Sequence, residues 1–212
     1  MPLDERRSYL GLELAVAVAS ATRCLGIYPV LEPGPALVYL AEDALPVVRK
    51  RTAGLVRHRG LDLAGLPLRV ITAPRLRLDQ TADRRRLFET VARLRPRLLL
   101  LDPVVRLHAV DENHAPAVAQ LLSSLRDLQR QLDVAIVLVH HTRKNIVAGA
   151  QAGQGLRGST DLHAFGDSNL YVRRLRGRLV LSMEHRAAAP PQPVGRSGTG
   201  HHRRAGHPSG GG

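Results

Sequence analysis

Apolar positions in this chain come in two rhythms, and the alternation between them predicts the elements. Ser8 to Leu25 carries Leu10, Leu12, Leu14, Ala15, Ala17 and Val18 on nearly every side, the pattern of a helix laid against a sheet. Gly26 and Pro29 end it. Ala36–Ala41 is a short unbroken apolar run, read as a strand buried on both faces. Asp43 to Arg59 and Asp79 to Leu94 return to helical spacing, with Leu87, Phe88, Val91 and Leu94 on one face of the second. Pro67–Thr72 is a short strand between them. Leu98-Leu99-Leu100-Leu101 then runs straight into Asp102, the strongest signal of a strand deep in a parallel sheet. Glu112 to Gln131 is helical again, and Val134–Val139 is a third buried strand.

Strands that alternate with helices mean a parallel sheet joined by right-handed crossovers. The fold class is therefore α/β, a doubly wound, mainly parallel sheet flanked by helices. Beyond it the rhythm changes. Asn145 to Gly158 is rich in Gly, Ala and Gln and reads as a mobile loop. Ser159 or Thr160 caps a short helix through Phe165. Ser168–Leu175 and Arg178–Glu184 alternate in period two about Arg176-Gly177, an antiparallel hairpin expected at the sheet edge. The expected division is one domain over 1–186 and a disordered tail over 187–212, where Pro, Gly, His and Arg replace apolar residues. His201, His202 and His207 in that tail read as part of a passive basic segment.

Composition narrows the class. The 212 residues suffice for one domain with a real core, 44% are hydrophobic, and the absence of Trp makes that core aliphatic. The net charge of +13 favours polyanionic partners, although a GC-rich genome that enriches Arg and Ala produces the same bias. A lone cysteine, Cys24, excludes an internal disulfide and a cysteine-rich metal site. No apolar run reaches the roughly 18 residues that span a bilayer, and no signal-peptide pattern opens the chain, so the expectation is a cytoplasmic protein with no membrane partner.

Chemistry gathers at the strand ends. Open α/β sheets bind ligands beyond the carboxyl ends of their strands. Asp102 ends the leucine strand, in position to hold a magnesium ion or, in the plainer reading, to cap the Asp-Pro turn. Glu42 follows the first strand, as a general base or as an acid complementing the next helix dipole. His140 and His141 end the third strand; neighbours on a strand point to opposite faces, so at most one of them faces a given site.

Five segments in this order resemble the RepA-like helicase branch of the RecA-type ATPases, often described as an AAA-type ATPase domain. They are Leu12–Ala15, Val38–Asp43, Leu100–Pro103, Leu138–Lys144 and Leu156–Asp161. The resemblance implies a RecA-like domain that binds and hydrolyses ATP with Mg2+ in plasmid or mobile-element replication. It makes Asp102 the magnesium-associated acid, Glu42 the catalytic base, and His140 or His141 the γ-phosphate sensor. It implies a homo-oligomeric ring in which Arg157, Arg173 or Arg174 reaches a neighbour's nucleotide. The Gly-rich loop before Arg157 is then the segment that meets single-stranded DNA. The family's phosphate loop, G-x-x-x-x-G-K-[ST], maps onto Met1 to Ser8, where Met1 and Arg6 stand for the glycines and Arg7 for the lysine. Only Ser8, the magnesium-touching residue, is retained, and Asp4 and Glu5 oppose phosphate. The strand before the loop is missing. Either the true start lies upstream or the loop has decayed, and the alternative function is a non-catalytic ring subunit or nucleic-acid-binding remnant.

Overall fold

The computed structural model describes residues 3–109, 115–140 and 160–186. Its centre is a four-stranded, fully parallel sheet of β1 (Ala36–Leu40), β2 (Leu68–Val70), β3 (Leu98–Asp102) and β4 (Ala135–Leu138), in the order β2-β1-β3-β4. The expected doubly wound α/β fold is present. Helices α1 (Leu3–Ser20) and α2 (Leu45–His58) cover one face; α3 (Thr81–Leu94) and α4 (Ala115–Leu132) cover the other.

Alternation along β3 shows why a leucine run works here. Leu98 and Leu100 enter the core under α1 and α2, while Leu99 and Leu101 enter the core under α3 and α4. A strand between two helical layers has no solvent face, so no polar residue interrupts it. Gly11 lets α1 lie close to the sheet: a Cβ there would come within 3.0 Å of Leu100 Cδ1.

Three expectations shift at the edges. α1 ends at Ser20 rather than Leu25, because Ala21 and Leu25 take left-handed backbone angles and Cys24 bridges back to Tyr28 in a tight turn. Glu13 stabilises that turn: its Oε1 accepts the Leu25 N–H at 2.8 Å and pairs with Arg59 at the end of α2. Burial of the Cys24 thiol, with the Glu13 carboxylate beside it, raises its pKa to about 11.

β4, read as a strand buried on both faces, is an edge strand: Ala135 is exposed and Ile136, Val137 and Leu138 are half-buried. Residues as apolar as those of β3 lie at the margin because, among the described residues, nothing pairs with their outer side.

The third shift concerns the hairpin. β5 (Ser168–Leu175) and β6 (Arg178–His185) pair antiparallel around Arg176-Gly177, as the alternation predicted. They form a two-stranded sheet of their own and do not bond to the main sheet. A six-residue helix, α5 (Thr160–Phe165), ties the hairpin to α4. Arg126 of α4 lies 4.4 Å over the Phe165 ring, donates to the Phe165 carbonyl, and bonds Asp167 Oδ2 at 2.9 Å. That contact holds the Asp167 carboxyl below its ordinary pKa.

Handedness connects these edges. On the α1 and α2 face, the β1–α2–β2 crossover advances toward the β2 edge. On the other face, α3 and α4 advance toward the β4 edge. α1 shares the α2 face and leads into β1. Any strand leading into α1 with the same hand would lie on the β4 side of β1. β3 and β4 already hold the nearer places, which leaves the open flank of β4.

Candidate functional site

Three strand ends lie side by side because the sheet is parallel and in register. Leu40 of β1 is level with Asp102 of β3, and the Ala41 N–H bonds the Asp102 carbonyl at 2.8 Å. On the other flank the Val139 N–H bonds the Leu101 carbonyl at 3.0 Å. Glu42 thus follows the end of one neighbour and His140 the end of the other, with Asp102 between them.

Asp102 is buried, with 2% of its surface exposed. It continues the alternation of Leu98 and Leu100, so it belongs to the face covered by α1. Gly11 of α1 sits against Leu100. Ser8 lies three residues before Gly11, about 4.5 Å nearer the helix start. Asp102 lies two residues after Leu100, about 6.6 Å nearer the strand end. Both steps lead toward the same edge of the sheet, and Ser8 is also buried. A hydroxyl and a carboxylate are thus both buried toward the ligand edge. Hard oxygen donors of this kind suit magnesium.

The phosphate cradle does not fit as well. Residues 3–8, where the phosphate loop was expected, are helical. From Arg7 onward the backbone N–H groups are spent within α1, so they are not available to wrap a phosphate. Arg7 and Ser8 are placed on the second turn of a helix, not in a loop. A Gly-rich turn has to bend where this chain runs straight.

Glu42 is partly exposed, and its Oε1 accepts from Arg106 Nε at 2.8 Å. Arg106 sits in the short 3-10 turn Val104–Arg106 that follows Asp102-Pro103. Sequence reading missed this residue. The signal was available: a turn that starts at the end of the central strand returns its side chains to the neighbouring strand end. Arg51 holds the adjacent Asp43 at 2.6 Å, so the loop after β1 is anchored twice.

The remaining candidates are scattered. His140 is half-buried at the ligand edge. Arg173 and Arg174 are exposed on β5, opposite Val180 and Leu179. His141, Arg157 and the Gly-rich loop lie outside the described residues. Among the described residues, no three His, Cys, Asp or Glu side chains are grouped to hold a metal, and no helix is long and apolar enough to cross a membrane.

No curated protein matches the chain significantly. The AAA domain family matches residues 7–146, more than half of the chain. That span begins at the second turn of α1 and takes in all four parallel strands together with the ends bearing Glu42, Asp102 and His140. With its parallel sheet and its acid at the end of the central strand, the chain belongs to the AAA domain family, of the P-loop NTPase type.

Proposed function

We propose that this chain is the ATP-binding and ATP-hydrolysing domain of a RepA-like, RecA-fold DNA helicase acting in plasmid or mobile-element replication. The observation that supports the reading is the burial of Ser8 and Asp102 toward the strand-end edge, with Glu42 and His140 following the adjacent strand ends. Ser8 and Asp102 would supply oxygen donors for Mg2+. When bound, the ion offsets charge on the phosphates. Glu42 takes the proton of the attacking water. His140 or His141 donates a hydrogen bond to the terminal phosphate. Arg7 contributes positive charge at the α1 start. In a ring, Arg157, Arg173 or Arg174 of one subunit completes the site of the next, and single-stranded DNA is the partner.

One observation favours a second reading. The stretch that should cradle phosphate is helical, which supports a non-catalytic ring subunit or nucleic-acid-binding remnant.

A binding measurement separates the two. A fluorescent, non-hydrolysable ATP analogue is titrated with magnesium into this chain, and into a version extended upstream by a strand and a Gly-rich loop. The enzyme reading expects micromolar binding to this chain as well as to the extended version. If neither version binds, the nucleotide reading fails. Binding to the extended chain alone leaves this chain with the second reading.

A further inference from the structure

The outer face of α2 carries three exposed cations that no carboxylate among the described residues neutralises. Val48, Thr52 and Val56 turn inward. On the opposite side Pro46, Arg49, Lys50, Ala53, Gly54 and Arg57 line an open groove of about 540 Å³. These positions recur every three or four residues, so they form one continuous stripe along the helix. Arg49, Lys50 and Arg57 are exposed, and among the described residues no carboxylate pairs with any of them. α2 contains neither Asp nor Glu. Of the acids nearest in sequence, Asp43 pairs with Arg51, Glu42 pairs with Arg106, and Asp62 accepts from the Ala64 N–H.

α3 shows what a merely solvated basic helix looks like in this protein. It is equally long and carries as many Lys and Arg residues, but Asp83 and Glu89 are interleaved. Arg86 faces Asp83 and Arg85 faces Glu89, each at 3.6 Å, and Arg84 donates to the Leu78 carbonyl at 2.8 Å. Two of its four arginines are thus offset by acids of the same helix. Arg51 of α2 has Asp43, but Arg49, Lys50 and Arg57 repel one another without an acid to offset them, so an anion from outside suits them as a partner.

Geometry selects the anion. Arg49 and Lys50 stand two helical turns from Arg57, roughly 11 Å along the axis. A single phosphate does not bridge that distance, whereas an extended polyanion meets both groups in turn. Ala53 and Gly54 form the floor between them, so no long side chain blocks the path. Tyr9 of α1 stands at the seam, its hydroxyl 3.9 Å from where a Gly54 Cβ would lie. A second copy of the chain is a poor occupant, because the net charge is +13. We propose that the α2 groove binds the phosphodiester backbone of a single nucleic-acid strand, with Arg49, Lys50 and Arg57 as phosphate contacts. The proposal does not depend on ATP binding, and none of its residues belongs to the strand-end site.

Fluorescence anisotropy with a labelled 20-nucleotide oligo-dT, read at several salt concentrations, tests it. The triple variant Arg49→Ala/Lys50→Ala/Arg57→Ala is compared with Arg85→Ala/Arg86→Ala/Arg93→Ala on α3, which changes the net charge equally. The α2 variant is expected to lose at least about tenfold in affinity, and to flatten the slope of log K against log salt by up to about three. The α3 variant is expected to stay within about twofold of the parent. Equal losses in both variants, or none in either, overturn the proposal. So does binding to anionic phospholipid vesicles without binding to oligo-dT. Gly54→Gln raises the groove floor with no change of charge and with a better helix former. It is expected to weaken binding while leaving the salt slope unchanged, and unaltered affinity in that variant counts against the groove. ATP-analogue binding measured on the same proteins reports separately on the strand-end site.

Discussion

The two halves of the candidate site are built to different rules. The strand-end half is rigid. Asp102 stands on a strand whose five residues are all buried, between neighbours that bond it on both sides. The helix-start half consists of Arg6, Arg7 and Ser8 on the first turns of α1. Only Ser8 there is buried against the sheet. The first half is placed by core packing, which any substitution in the core disturbs. The second is placed on a helix whose backbone N–H groups from Arg7 onward bond earlier carbonyls of α1 and are not free to wrap a ligand. An acid held by the core survives large changes elsewhere in a chain; a loop made of backbone turns does not.

The sharpest way to break this contrast is to loosen the rigid half. Leu100→Ala removes a fully buried side chain beneath Gly11 and is expected to cost roughly 2–5 kcal/mol in urea denaturation, because the sheet collapses only partly around the cavity. A loss under about 1 kcal/mol means that β3 is not the support claimed for Asp102.

The next effect is chemical. In a version of the chain that turns over ATP, Glu42→Gln is expected to lower the rate by about a hundredfold or more while leaving analogue binding intact. Steady-state phosphate release checks the first half of that statement and anisotropy the second. Equal turnover removes Glu42 from the mechanism.

The far end of α1 offers a pH test. Cys24 titrates near 11 in the folded chain against an ordinary 9.0, so the folded state holds its proton more tightly. The associated stability is fully present below pH 9 and is lost as the pH rises through about 11. At pH 8 the thiolate is about a hundredfold scarcer than in an unfolded chain, so alkylation by iodoacetamide should be slower in that proportion and should recover in denaturant. Equal rates in the two states indicate that the turn after Ser20 is open.

The smallest effect belongs to Arg106. Its pair with Glu42 is largely solvent-exposed, so Arg106→Ala is expected to change stability by less than about 1 kcal/mol. A larger loss means that the strand-end loops depend on the pair for their fold, which narrows the difference between the two halves.

The leucine run and the apolar segments around it were legible because their periodicity is set by burial, and burial dominates the fold. The same reading placed Glu42, Asp102 and His140 at one edge, since a parallel sheet aligns its carboxyl ends. It failed where partners decide. Nothing in Ile136-Val137-Leu138 distinguishes an inner strand from a margin, because the difference lies in what stands beside them. Met1 to Ser8 aligned by spacing with a phosphate loop. Local propensity decides the backbone instead, and residues without glycine wind into helix from Leu3. Arg106 escaped notice because its role is a contact between loops that are far apart in sequence. The basic stripe of α2 was visible as letters, but the lack of neutralising acids around it required the ion pairs of α3 for comparison.

The separation of the molecule into two sheets has a consequence for how the chain assembles. β1 pairs with β3 across about 60 intervening positions, whereas β5 meets β6 across a two-residue turn. Closing the long loop sacrifices chain entropy before any contact compensates for it, while the hairpin closes in microseconds. During refolding the amides of Ser168–His185 should therefore gain protection from exchange first, and the loop from β1 to β3 sets the pace for everything else. The arm carrying Arg173 and Arg174 is then complete while the strand ends bearing Glu42 and Asp102 are still apart.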